Sequence, residues 1–102
     1  MFKKLRGIHL SYERQGFTRF VCLTYDEQPQ DVKDRILNLC IRVAGDKYQA
    51  LFELMTTQKS VVSIAGKYFV SNSSMYNFRR KFYYTWWGVR IEKAKKLPKI
   101  GN

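Results

Sequence analysis

The stretch Val61-Val-Ser-Ile-Ala-Gly-Lys-Tyr-Phe-Val-Ser-Asn-Ser-Ser-Met-Tyr-Asn-Phe-Arg-Arg-Lys-Phe82 constrains the chain more than any other. Two short helices that cross around a tight turn need a small residue where their backbones approach and apolar residues at fixed offsets around the crossing. They also need a cap that opens the second helix. Counted from Val61, Ala65 falls at the close approach, and Ile64, Tyr68, Val70, Met75 and Phe78 fall at the five inward positions. Ser71 falls at the cap, where its hydroxyl can accept the N–H of Ser73 or Ser74.

Further helices precede this pair. Asp26 to Gln28 break the chain, and Pro29 suits a first helical turn, where its missing N–H is not needed. Asp31 and Asp34 favour the positive end of that helix. Val32, Ile36, Leu39, Cys40 and Val43 then recur at helical spacing. Gly45 ends the run and Asp46 can cap the next helix, over residues 47–55, with Tyr48, Leu51, Phe52 and Met55 on one face. The N-terminal part reads differently. Ile8, Leu10 and Tyr12 step by two, Gly16 interrupts, and residues 17–25 are rich in aromatic and β-branched side chains. The pattern predicts a β-hairpin turning at residues 13–16, with a short helix as the alternative. The expected fold is mainly α: a four-helix domain at residues 29–88, with the helix pair at 60–87. A small β-hairpin (residues 1–28) precedes it and a basic tail (residues 89–102) follows it.

Charge narrows the partner. The formal charge is +11, and residues 59–102 carry ten Lys and Arg against one carboxylate, Glu92. So concentrated an excess favours polyanionic partners. Catalytic chemistry finds no foothold: no Gly-rich phosphate loop, no nucleophile motif and no paired carboxylates in a recognisable frame are present, and no cofactor is expected. Cys22 and Cys40 lie in apolar runs without a CxxC, far in sequence from the single histidine, His9; buried free thiols are expected, not a metal site. No apolar run approaches a membrane span, and the N-terminus lacks a signal-peptide core, so a cytoplasmic protein is expected.

The segment from Val61 resembles the helix-turn-helix DNA-binding family, in the style of sigma-factor region 4. It is also similar to small phage-encoded transcriptional regulators of the ArpU/RinA type. The likeness covers about thirty residues, or about fifty with the preceding helix. One position departs: the family has Gly at the turn, for positive φ, where this chain has Phe69. A bulky residue rarely adopts φ > 0, so a longer or differently shaped turn is expected here.

The resemblance implies that the second helix enters the major groove of double-stranded DNA. Asn72, Ser73, Tyr76, Asn77 and Arg80 then form its reading face. Asn77 suits adenine N6/N7 and Arg80 guanine O6/N7. Lys67, Ser71, Arg79, Lys81, Arg90, Lys93, Lys95 and Lys96 are the expected backbone contacts, with Lys99 extending the basic tail. The implied role is transcription regulation for a phage or mobile element, at the nucleoid of a bacterial host, with a homodimer and host RNA polymerase as candidate further partners.

Two other readings compete. In one, the helix pair is a scaffold and the N-terminal hairpin, with Arg14, Phe17 and Arg19, docks on polymerase or another regulator. In the other, Tyr83, Tyr84 and Trp87 stack on the bases of RNA or single strands. Phe82 and Trp86, four apart, are expected to pack beneath the helix pair.

Overall fold

The computed structural model describes Leu5 and residues 7–89. Within them run five α-helices: α1 (Tyr12–Leu23), α2 (Gln30–Ala44), α3 (Tyr48–Thr56), α4 (Val61–Tyr68) and α5 (Asn72–Trp86). Single 3₁₀ turns at Tyr25–Glu27 and Gly45–Lys47 join α1 to α2 and α2 to α3. Both α3 and α5 pack against every other α-helix, so the core lies between them. The mainly helical expectation holds, and the four helices expected from residue 29 onward are present.

The expected N-terminal hairpin is not. Among the described residues there is no strand, and residues 12–23 are helical. Ser11 caps α1 by accepting the Arg14 N–H at 3.1 Å, and Glu13 occupies the positive first turn. The buried stripe is Gln15, Thr18, Val21 and Cys22, a helical spacing half of whose members are polar. The aromatic residues that suggested a strand point outward instead: Phe17 is 52% exposed and Phe20 63%. Gly16 lies inside the helix and turns nothing.

What alternates is the segment before α1. Ile8 and Leu10 are buried in the same core as α2–α5, and His9 faces solvent. Their backbone finds its hydrogen bonds in side chains. Gln15 Nε2 donates to the carbonyls of Ile8 and Leu10, each at 3.0 Å, and Gln15 Oε1 accepts the Leu5 N–H at 2.8 Å. The His9 N–H donates to Tyr84 Oη at 2.7 Å. A strap, not a hairpin, thus crosses α1 and reaches α5.

Arg19 joins α1 to α3. Its guanidinium donates to the carbonyls of Leu54, Met55 and Thr57 at 3.0, 3.1 and 2.7 Å, satisfying the C-terminal end of α3 with a positive charge. Cys22 and Cys40 are free and fully buried, and burial pushes both thiols up to about 12. The aromatic run on α5 is largely used inside the chain. Phe82 and Trp86 are buried and stacked, with centroids 6.1 Å apart, and the Arg35 guanidinium of α2 lies 3.8 Å from the Trp86 ring. Tyr83 and Tyr84 are buried, while Trp87 donates from Nε1 to Thr18 Oγ1 at 2.8 Å and lies beneath Arg14. Tyr84 and Trp87 are thus engaged by the chain's own N-terminal part, and burial removes Tyr83 and Tyr84 from any stacking surface.

Candidate functional site

The α4–α5 pair is built as its spacing demands. Ser60 caps α4 by accepting the Ser63 N–H at 3.1 Å, and Ser71 caps α5 by accepting the Ser74 N–H at 3.0 Å. Ile64, Ala65 and Met75 are buried, and Tyr68, Val70 and Phe78 pack against the same core from partly buried positions. The five inward positions and the close-approach Ala65 therefore all face the core.

The turn corrects one expectation. It is neither longer nor differently shaped, because Phe69 itself adopts the left-handed conformation, with φ 57° and ψ 44°. The Val70 N–H then reaches back to the Ala65 carbonyl at 3.0 Å, a six-to-one closure that satisfies the end of α4. The Phe69 ring is 92% exposed, so packing returns nothing for the strained backbone. Left-handed geometry costs a side-chain-bearing residue about 1–2 kcal/mol, and glycine gives back part of that as unfolded-state entropy. Phe69→Gly is therefore expected to stabilise the fold by about 0.5–1 kcal/mol, read as a rise in the urea midpoint at unchanged m.

Outside this core, α5 presents Asn72, Ser73, Tyr76, Asn77 and Lys81 to solvent, Tyr76 at 49% exposure. Arg80 is half-buried: its Nη2 donates to Asn77 Oδ1 at 2.9 Å, while its Nε is buried without a partner. Asn77 and Arg80 are therefore one unit, in which the guanidinium sets the carboxamide's orientation. Arg79 is also half-buried, with its guanidinium 5.3 Å from the Tyr76 centroid, and burial pulls its pKa below the ordinary arginine value. It buttresses Tyr76 more than it faces outward. No acidic residue lies in the first turn of α5, so the positive helix end beside Ser71, Asn72 and Ser73 is not neutralised from within that turn.

Lys67 lies elsewhere. Its ammonium is held by Glu53 of α3, at 2.9 Å to Oε1, and Lys59 bonds the same carboxylate at 2.7 Å. Tyr68 Oη donates to Glu53 Oε1 at 2.7 Å. The Lys67 ammonium is paired with α3, apart from the α5 face with which the sequence grouped it. Arg90, Lys93, Lys95, Lys96 and Lys99 lie outside the described residues.

The Glu53 cluster was not foreseen, although a signal existed: no Asp or Glu occurs between Glu53 and Glu92. Any lysine near α4 therefore had one carboxylate in that stretch to find. Hydrogen bonds from Lys59, Tyr68 and Lys67 hold the Glu53 carboxyl down at about 2, against an ordinary 4.5. A group depressed on folding contributes stability that is complete above its unfolded value and lost as pH falls through the folded one. Stability is thus expected to decline between pH 4.5 and about 2 by an increment missing from Glu53→Gln. Both lysines are more than half exposed, so solvent screening limits that increment to about 1 kcal/mol. Paired urea titrations at pH 6 and 3 measure it.

Compared with protein-family models, curated proteins and solved structures, the chain matches none. Among the described residues, no helix is long and apolar enough to cross a membrane.

Proposed function

We propose that the chain binds double-stranded DNA sequence-specifically through α4 and α5, with α5 as the groove-reading helix. The observation that carries this reading is the division of labour along α5. Met75 and Phe78 hold the helix in the core, while the paired Asn77–Arg80 amide and guanidinium and the polar residues of the first turn stay on its accessible side. Paired donors and acceptors of this kind match base edges in the major groove. The open N-terminal end of α5 suits a phosphate. A formal charge of +11 supplies the sequence-independent attraction. Within this reading the resemblance to small phage regulators makes transcription control of a phage or mobile element the role.

The test is a selection of bound duplexes from a random double-stranded pool at about physiological salt, where counterion-driven binding is discounted. Recovery of one motif is the expected result. A folded protein that enriches none overturns the reading.

A second reading has one observation in its favour. Phe17 and Phe20 stand 52% and 63% exposed on α1, an apolar face that a protein partner such as a host polymerase would cover. Arg14 and Arg19, grouped with Phe17 in the sequence, are committed to Trp87 and to the end of α3. The pool selection separates the two readings, since a docking protein enriches no duplex.

A further inference from the structure

An open cleft of about 630 Å³ lies among α2, α3, the end of α4 and the turn after α1, a volume typical of small-molecule sites. Its walls are the rings of Tyr25, Tyr48, Phe52 and Tyr68, all partly exposed. Tyr25 and Phe52 meet edge to face, with centroids 5.0 Å apart at 87°, so part of the wall is already set. Leu37 completes the apolar wall, and Gln49, Glu53 and Thr56 add polar side chains to the tyrosine hydroxyls.

The charges around these rings decide what the cleft can hold. Lys33 Nζ lies 5.6 Å from the Tyr25 centroid and Lys67 Nζ 5.3 Å from that of Tyr68. Lys59 and Lys67 both sit on Glu53, the one carboxylate among the lining residues. No lysine lines the cleft itself, but three ammonium groups lie against its lining residues, beside the one lining carboxylate. A cationic ligand is disfavoured, because two of the rings already carry an ammonium group and Glu53 is more than neutralised. A flat aromatic group with an anionic substituent uses both features: the rings stack on it and the lysines meet its charge.

We propose that this cleft binds a nucleotide unit, with its base against Tyr25, Tyr48 and Phe52 and its phosphate on the bordering lysines. The site is separate from the α5 face and does not depend on it. It also differs from the Tyr83–Tyr84–Trp87 run, two of whose rings are buried. The same chemistry is offered by a free nucleotide and by one unit of a single strand.

The test is a set of ¹H–¹⁵N titrations of the full chain with AMP, adenosine, inorganic phosphate and a short oligothymidylate. AMP or the oligomer is expected to shift the amides of Tyr48, Gln49, Phe52 and Glu53. Tyr48→Leu should weaken that binding about 10-fold. Lys59→Gln touches no ring and should weaken AMP while leaving adenosine unchanged; it keeps the test open if Tyr48→Leu fails to fold. Tighter AMP binding identifies a free nucleotide as the ligand, and displacement of AMP by the oligomer identifies a strand. No cleft shift with either probe, phosphate binding as tightly as AMP, or affinities unchanged in the folded variants each overturns the proposal. Loss of duplex selection by an α5 variant leaves it untouched.

Discussion

Arg80→Ala is expected to weaken binding to the selected duplex by about 10- to 100-fold, the range of one bidentate base contact. A scrambled duplex should lose far less. The reason lies in the pairing on α5. Arg80 Nη2 holds Asn77 Oδ1 at 2.9 Å, so removing the guanidinium deletes one reading group and releases the other. Asn77→Ala should then cost less than Arg80→Ala, and the double variant little more than Arg80→Ala alone, because coupled residues are not additive. Anisotropy titrations on selected and scrambled duplexes give all four corners of the cycle. Equal losses on both duplexes would reduce Arg80 to a phosphate contact and leave the proposed reading without its central residue.

Gln15→Leu is expected to destabilise the fold by about 3 kcal/mol, although the two side chains are close in size. The buried carboxamide satisfies the carbonyls of Ile8 and Leu10 and the N–H of Leu5. Each buried backbone group left without a partner costs about 1–3 kcal/mol, and release of the strap would also expose Ile8 and Leu10. In a chain of 102 residues this lowers Tm by roughly 10–20 °C. Gln15→Glu keeps the acceptor but replaces the amide donor, so it should be no better. Thermal unfolding followed by circular dichroism measures all three proteins. A Leu variant within about 0.5 kcal/mol of the parent, the range of an ordinary surface change, would show that the strap contributes nothing to stability.

The same glutamine explains why α1 was misread. Sequence periodicity is judged from apolar residues, and it finds α2 at once because Val32, Ile36, Leu39, Cys40 and Val43 are both apolar and inward. On α1 the pattern is inverted: Gln15 and Thr18 are fully buried, while Phe17 and Phe20 face water. The partners of this glutamine lie 5 to 10 residues back, in a strap whose path no rule of helical spacing announces. The α4–α5 pair was legible because its offsets are fixed by contact between neighbouring helices, down to the Ser71 cap. The turn was not, since nothing in the identity of Phe69 signals a positive φ. The outward face of α5 followed from the same offsets. Its internal pairings did not: a side chain's hydrogen-bond partner depends on rotamers, and the Lys67–Glu53 contact joins residues 14 apart on different helices.

The strap also bears on how the chain is made. The His9 N–H meets Tyr84 across 75 residues and Thr18 meets Trp87 across 69, so the first described segment is completed by α5 and the residue that ends it. During synthesis α2 and α3 can pair early, being neighbours. Ile8, Leu10 and the inward side of α1 stay incompletely covered until α5 has left the ribosome. At about 5–20 residues per second that interval lasts several seconds, long on the scale of hydrophobic collapse. A nascent chain of this sequence is therefore most vulnerable to chaperone capture or aggregation just before α5 emerges.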